Sequence, residues 1–216
     1  MVGTLIGRRI EGPTDSATHL YVILLAPTGY GKDHPLQCGS ALMHASGRGD
    51  LLGTRLRGMG ECAPGFTKRI RRNPLMVCFV DELGDELAKV SEAGGGGVWV
   101  TAITGLLKKC YNAWATINTA EKVGEEIERI DWPAVSIIGA ATPEMFFNSL
   151  QPRDLESGFA NRLLILPFEG YGRPREQSPR SELKHPPKEP VAGLRALPKQ
   201  SNIAEQTSTL PPMAEA

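Results

Sequence analysis

Four short apolar runs constrain this chain more than any other feature: LYVILLAP (20–27), PLMVCFVDE (74–82), PAVSIIGAAT (133–142) and NRLLILPF (161–168). Each is continuously apolar rather than alternating, so each predicts a strand buried on both faces. Between them lie segments with helical spacing: about Lys32 to Ala45, LGDELAKVSEA (83–93), residues 98–112, and PEMFFNSL (143–150) with proline in its first turn. Buried strands alternating with helices require a parallel sheet covered on both sides, a three-layer α/β architecture. Residues 48–73 and 113–132 fit neither period.

The end of each run carries different chemistry. The first runs into APTGYGKDHP (26–35). Gly29 and Gly31 allow the backbone to wrap an anion with its N–H groups pointing inward. A helix begins there, with its positive end toward the same point. Lys32 supplies the charge that reaches the β and γ phosphates of a nucleotide. Pro27, Thr28, Gly29, Tyr30, Gly31, Lys32 and Asp33 are therefore the candidate nucleotide-binding residues. The pattern is GxxxxGK[ST] with two departures: Ala26 replaces the first glycine, and Asp33 stands where a hydroxyl normally meets Mg2+. A carboxylate is a hard-oxygen ligand and can take over that position. Its charge also opposes the phosphates, so binding is expected to depend strongly on Mg2+. The plainer alternative is a glycine-rich strand-to-helix turn with a surface lysine.

The second run ends in Asp81-Glu82, about 50 residues after the lysine. Asp81 is a candidate metal ligand beside Asp33, and Glu82 a candidate for orienting or deprotonating the attacking water. The plainer alternative is that Asp81 only caps the helix at 83–93. The third run ends in Thr142, either a γ-phosphate sensor or an N-cap before Pro143. Arg162, just before the fourth run, is placed to act on a neighbouring subunit's phosphates or to pair with Asp154 or Glu156; Arg153 is a weaker candidate. Glu82, Thr142 and Arg162 are thus the candidate catalytic residues.

FTKRIRRNP (66–74) concentrates Lys68, Arg69, Arg71 and Arg72, as a nucleic-acid backbone contact or a solvated face. Trp99 and Trp114 could stack on bases or fill the core.

Composition excludes several classes. The 24 basic and 24 acidic residues balance, so there is no global attraction to nucleic acid or membrane. Cys38, Cys62, Cys78 and Cys110 are widely spaced, without a zinc or disulfide pattern. No leader is read in MVGTLIGRRIEG, and no apolar run approaches membrane-spanning length. A cytoplasmic setting is expected. Residues 171–216 hold 8 of the 17 prolines and predict a disordered tail. That leaves a lead-in over 1–17 and a folded domain over 18–170.

LIGRRIEG, LYVILLAPTGYGKDHP, VDELGDELAKV, SIIGAATPEMFF and ESGFANRLLIL occur in this order. In that order they resemble a domain-of-unknown-function family of P-loop ATPases from phages, prophages and plasmids, associated with primase–polymerase proteins. The resemblance covers roughly residues 1–168. It implies a RecA/AAA+-like P-loop NTPase fold and a helicase-type motor related to superfamily 3 and AAA+ ring ATPases. ATP and Mg2+ would be its ligands, single-stranded DNA its substrate, a homo-oligomeric ring its assembly, and a primase–polymerase its partner. Lys32 would bind phosphate, Asp81 and Glu82 serve metal and water, Thr142 sense phosphate, and Arg162 act in trans. The competing readings are a nucleotide- or DNA-binding module without turnover and a P-loop kinase for a small molecule.

Overall fold

All four apolar runs become strands of one sheet. The computed structural model describes residues 3–4, 17–52, 63–92, 97–112, 116–119, 128–150, 152–168 and 186–197. Within them the order is β1 (Tyr21–Leu25), α1 (Asp33–Ala45), α2 (Ala63–Arg72), β2 (Leu75–Val80), α3 (Leu83–Glu92) and α4 (Gly97–Tyr111). These are followed by β3 (Thr116–Thr119), β4 (Glu128–Asp131), β5 (Ala134–Ala141), α5 (Pro143–Ser149), α6 (Pro152–Glu156), β6 (Leu163–Pro167) and α7 (Lys188–Ala196). The molecule is an α/β protein whose sheet, ordered β2-β5-β1-β6, is parallel throughout and flanked by helices.

Register places the strand ends that carry chemistry side by side. Leu25 pairs with Ala141 on one side and Pro167 on the other, and Val80 pairs with Gly139. Because the strands are parallel, the segments after β1, β5, β2 and β6 all leave from one edge. Ligand sites of open parallel sheets form at that edge.

Alternation within each strand divides the core in two. Tyr21, Ile23, Leu25, Met76, Cys78, Val80, Val135 and Ile137 face α2, α3, α4 and α5, which contribute Phe66, Ile70, Leu83, Leu87, Leu107 and Phe146. On the other face Val77, Phe79 and Ala140 meet Leu36 and Met43 of α1. Each such side chain, fully buried, contributes roughly 1.5–3 kcal/mol. Gly39 lets α1 sit close: a Cβ there would lie 2.5 Å from the Phe79 ring.

Two segments without a clear period acquire structure from packing. α2 buries Phe66 and Ile70, one turn apart, against the core, while Lys68, Arg71 and Arg72 stay exposed. β3 and β4 form a separate antiparallel ribbon, with Ile130 buried.

The expectation of disorder over 171–216 needs correction at residues 188–196, which form α7; the rest of that range lies outside the described residues, apart from 186, 187 and 197. HPPKEP is not extended chain throughout. Pro187 precedes the helix and Pro190 falls in its first turn, where a missing N–H costs nothing. Leu194 is buried, Arg195 Nη2 donates to Ala45 O at 2.7 Å, and Arg48 donates to Leu197 O. These contacts tie α7 to the end of α1, and composition alone does not reveal them. Among the described residues no helix is long and apolar enough to cross a membrane.

Candidate functional site at the sheet edge

The segment between β1 and α1 is a tight loop whose shape depends on its glycines. Gly29 and Gly31 have φ of 87° and 70°, the left-handed region that side chains other than glycine rarely occupy. Open space lies where a Cβ would project from either, so backbone conformation rather than crowding demands glycine here. Tyr30 N donates to Pro27 O at 3.4 Å and His34 N to Gly31 O at 2.9 Å, closing the loop onto the helix. α1 has 13 residues; its first N–H groups have no partner within the helix and carry its positive end.

Lys32 does not extend into solvent. Its side chain is only 9% exposed, and Nζ lies 3.0 Å from Glu82 Oε1. Glu82 follows β2 with φ of 51°. For a residue with a Cβ this conformation costs on the order of 1–3 kcal/mol. It reverses the chain directly out of the strand, and Glu82 O then accepts from Glu86 N at 3.2 Å to begin α3. Asp81 Oδ1 accepts from Glu82 N at 2.9 Å, which steadies the turn. Asp33, Asp81 and Glu82 are all exposed.

Thr142 enters from β5, the strand between β1 and β2. Ala26 N donates to Ala141 O at 3.1 Å, so Thr142 adjoins the start of the loop. Its Oγ1 accepts from Met145 N at 3.4 Å as the N-cap of α5. The capping role is present; the bond is long, and the hydroxyl keeps its own proton and a second lone pair for another partner.

Arg162 lies elsewhere. It precedes β6 at the opposite edge of the sheet from the loop. Nη1 donates to Gly158 O at 2.6 Å, Nη2 donates to Asn112 Oδ1 at 3.3 Å, and the guanidinium lies 5.7 Å from the centre of the Tyr111 ring. The alternative pairing with Asp154 or Glu156 is not what these contacts show: the guanidinium meets a carbonyl, a side-chain amide oxygen and a ring. The guanidinium is folded against its own chain. The side chains of Arg153 and Trp99, and all of Trp114, lie outside the described residues.

The basic cluster is at the C-terminal turn of α2, with Arg69, Arg71 and Arg72 in its last turn. Positive charge there complements the helix dipole without a ligand. Arg71 and Arg72 precede β2, so they too lie at the edge opposite the loop.

The structure thus assembles Lys32, the loop glycines, Asp81, Glu82 and Thr142 at one edge and separates them from Arg162 and the basic helix end. Sequence reasoning did not single out Phe168, which follows β6 and has its ring centre 5.4 Å from that of Tyr30. An aromatic residue just past an edge strand was the available signal. No protein-family model matches this chain, and no curated protein matches it significantly.

Proposed function

We propose that this edge is a nucleoside-triphosphate site, that the protein hydrolyses ATP with Mg2+ there, and that it does so as a helicase-like motor on DNA in mobile-element replication. The observation that carries the site is the 3.0 Å contact between Lys32 and Glu82. It joins two motifs about 50 residues apart, each of which has a plainer explanation alone. The DNA and replication parts of the reading rest on the order of the sequence motifs.

The donor set suits the ligands. The backbone of residues 28–33 and the start of α1 offer N–H groups to the phosphates. Lys32 is covered at the loop with its ammonium on Glu82, and would turn to the terminal phosphate when a nucleotide binds. Mg2+ is usually held by one or two carboxylates together with substrate oxygens and water, so Asp33 and Asp81 suffice in number. When bound, the ion would neutralise charge on the β and γ phosphates.

Glu82 is the group to orient water and accept its proton. Phosphate binding by Lys32 breaks the ion pair and frees the carboxylate for that task. The remaining lone pair and hydroxyl proton of Thr142 are available to the γ-phosphate. The second reading, binding without turnover, draws on Asp33 at the usual hydroxyl position and on the inward-folded Arg162. A small-molecule kinase would need an acceptor pocket and a lid, and no described feature favours them.

The deciding experiment is Mg2+-dependent ATP hydrolysis with and without single-stranded DNA, comparing wild type with Lys32→Ala. Turnover that requires Lys32 and rises with DNA supports the motor. Binding without turnover selects the second reading, and turnover indifferent to Lys32 rejects the site.

A further inference from the structure

Two exposed aromatic side chains stand at the loop, Tyr30 within it and Phe168 beside it, and the backbone role given to Tyr30 above leaves both rings unused. Tyr30 sits between the two positive-φ glycines and is 42% exposed; Phe168 is 50% exposed. Their planes are inclined by 57°. Phe168 is held in place by its backbone: its N–H donates to Leu25 O at 2.8 Å, extending the β1–β6 ladder one step past Pro167. Leu164 and Leu166, on the same side of β6 by strand alternation, are exposed as well. The apolar surface therefore reaches the phosphate loop.

Strand order gives this surface a direction. The acids follow β2, and β5 separates β2 from β1; β6 lies on the other side of β1. A triphosphate seated on the loop with its terminal phosphate toward Glu82 must send its sugar and base the opposite way. That is the β6 side, where Tyr30 and Phe168 lie.

We propose that Tyr30 and Phe168 form the stacking platform for the base of the bound nucleotide; this rests on the nucleotide-site reading above. Because the rings are inclined by 57°, a flat heteroaromatic ligand stacks on the face of one and meets the other at an angle, an arrangement aromatic pairs accept. Stacking of this kind tolerates any base, because every base has a π-face. It favours the larger purines over pyrimidines by contact area. An inorganic polyphosphate has nothing to place there, and this separates the platform from the phosphate site.

The test is equilibrium binding of a non-hydrolysable ATP analogue and of inorganic tripolyphosphate, both with Mg2+, to the full chain. Wild type is compared with Tyr30→Ala, Phe168→Ala and Phe168→Trp. The analogue is expected to bind wild type more tightly than tripolyphosphate does. Phe168→Ala should weaken the analogue about tenfold, within the ~5- to 150-fold range that removing a base-stacking ring produces. Tyr30→Ala should act in the same direction. Phe168→Ala should leave tripolyphosphate binding unchanged, which also serves as the control for folding; for Tyr30→Ala, whose residue belongs to the phosphate loop, the analogue should lose more affinity than tripolyphosphate does. Phe168→Trp should retain affinity, and its fluorescence should respond to the analogue and not to tripolyphosphate. Equal losses for both ligands, or no loss for either, overturn the platform and leave the rings as a protein-contact surface. If wild type binds tripolyphosphate and the analogue equally, the platform alone falls. If it binds neither, the nucleotide site falls with it.

Discussion

Lys32 and Glu82 face each other across the sheet edge, Nζ to Oε1 at 3.0 Å, the lysine nearly covered and the glutamate half exposed. With one partner in solvent, such a pair contributes only about 0.2–1 kcal/mol. A triphosphate can therefore displace the glutamate from the lysine at small cost. Glu82→Gln is expected to lower ATP turnover by about 10²- to 10⁴-fold while nucleotide affinity holds or improves. Steady-state rates together with equilibrium binding separate the two effects. A loss of affinity equal to the loss of rate would show that Glu82 only shapes the turn.

Asp33 opens α1 and is exposed, so replacing it should leave stability within about 0.5 kcal/mol. Its effect should appear in metal dependence. Asp33→Ala should raise the Mg2+ concentration needed for half-maximal nucleotide binding. Asp33→Ser, which restores a hydroxyl, should recover part of the loss. A Mg2+ titration that is the same for all three proteins would remove Asp33 from the metal site.

The contacts of Arg162 make two separable predictions. Losing the bond to Gly158 O and the ring contact with Tyr111 should destabilise Arg162→Ala by about 1–2 kcal/mol in denaturant unfolding. Its distance from its own loop means that any catalytic role must be in trans. Mixing Arg162→Ala with Lys32→Ala protein should then restore some turnover, and turnover of wild type should rise with protein concentration. Stability loss without rescue on mixing would leave Arg162 a structural residue only.

Cys78 is wholly buried in β2, and burial pushes its thiol up from 9.0 to about 12, with Cys110 adding to the rise and Arg69 opposing it. Below pH 9 the thiol is protonated in both folded and unfolded chains. Between about 9 and 12 the unfolded chain loses this proton while the folded chain keeps it, so stability falls as pH rises. The slope approaches about 1.4 kcal/mol per pH unit. Unfolding midpoints measured across that range should fall less steeply in Cys78→Ala. The native thiol should also resist alkylation at pH 8, while Cys38, which is exposed, reacts.

The four strands of the main sheet and helices α1, α3, α4 and α5 were legible in the sequence because apolar runs and 3.6-residue spacing act locally. β3, β4 and α6 were not, nor were α2 and α7. The helical state of α2 and α7 depends on Phe66 and Ile70 meeting the core, on the burial of Leu194 and on the bonds of Arg195 and Arg48 that tie α7 to the end of α1, contacts distant along the chain. In the candidate site, Gly29, Gly31, Lys32, Asp81 and Glu82 could be chosen by residue type. Their convergence could not be read, since it requires β5 to lie between β1 and β2.

The sequence by itself determined that this chain builds a buried parallel sheet, with a glycine-rich lysine loop, an acidic pair and a threonine at three strand ends. Apolar runs this short, alternating with helical segments, leave water as strands of a sheet covered on both faces, and chain direction assigns the polar residues to strand ends. Tertiary structure alone decided the order β2-β5-β1-β6. That order sets Lys32 against Glu82 and brings Phe168 beside Tyr30. Strand order is a global choice, made by which faces the helices cover and how the crossovers run.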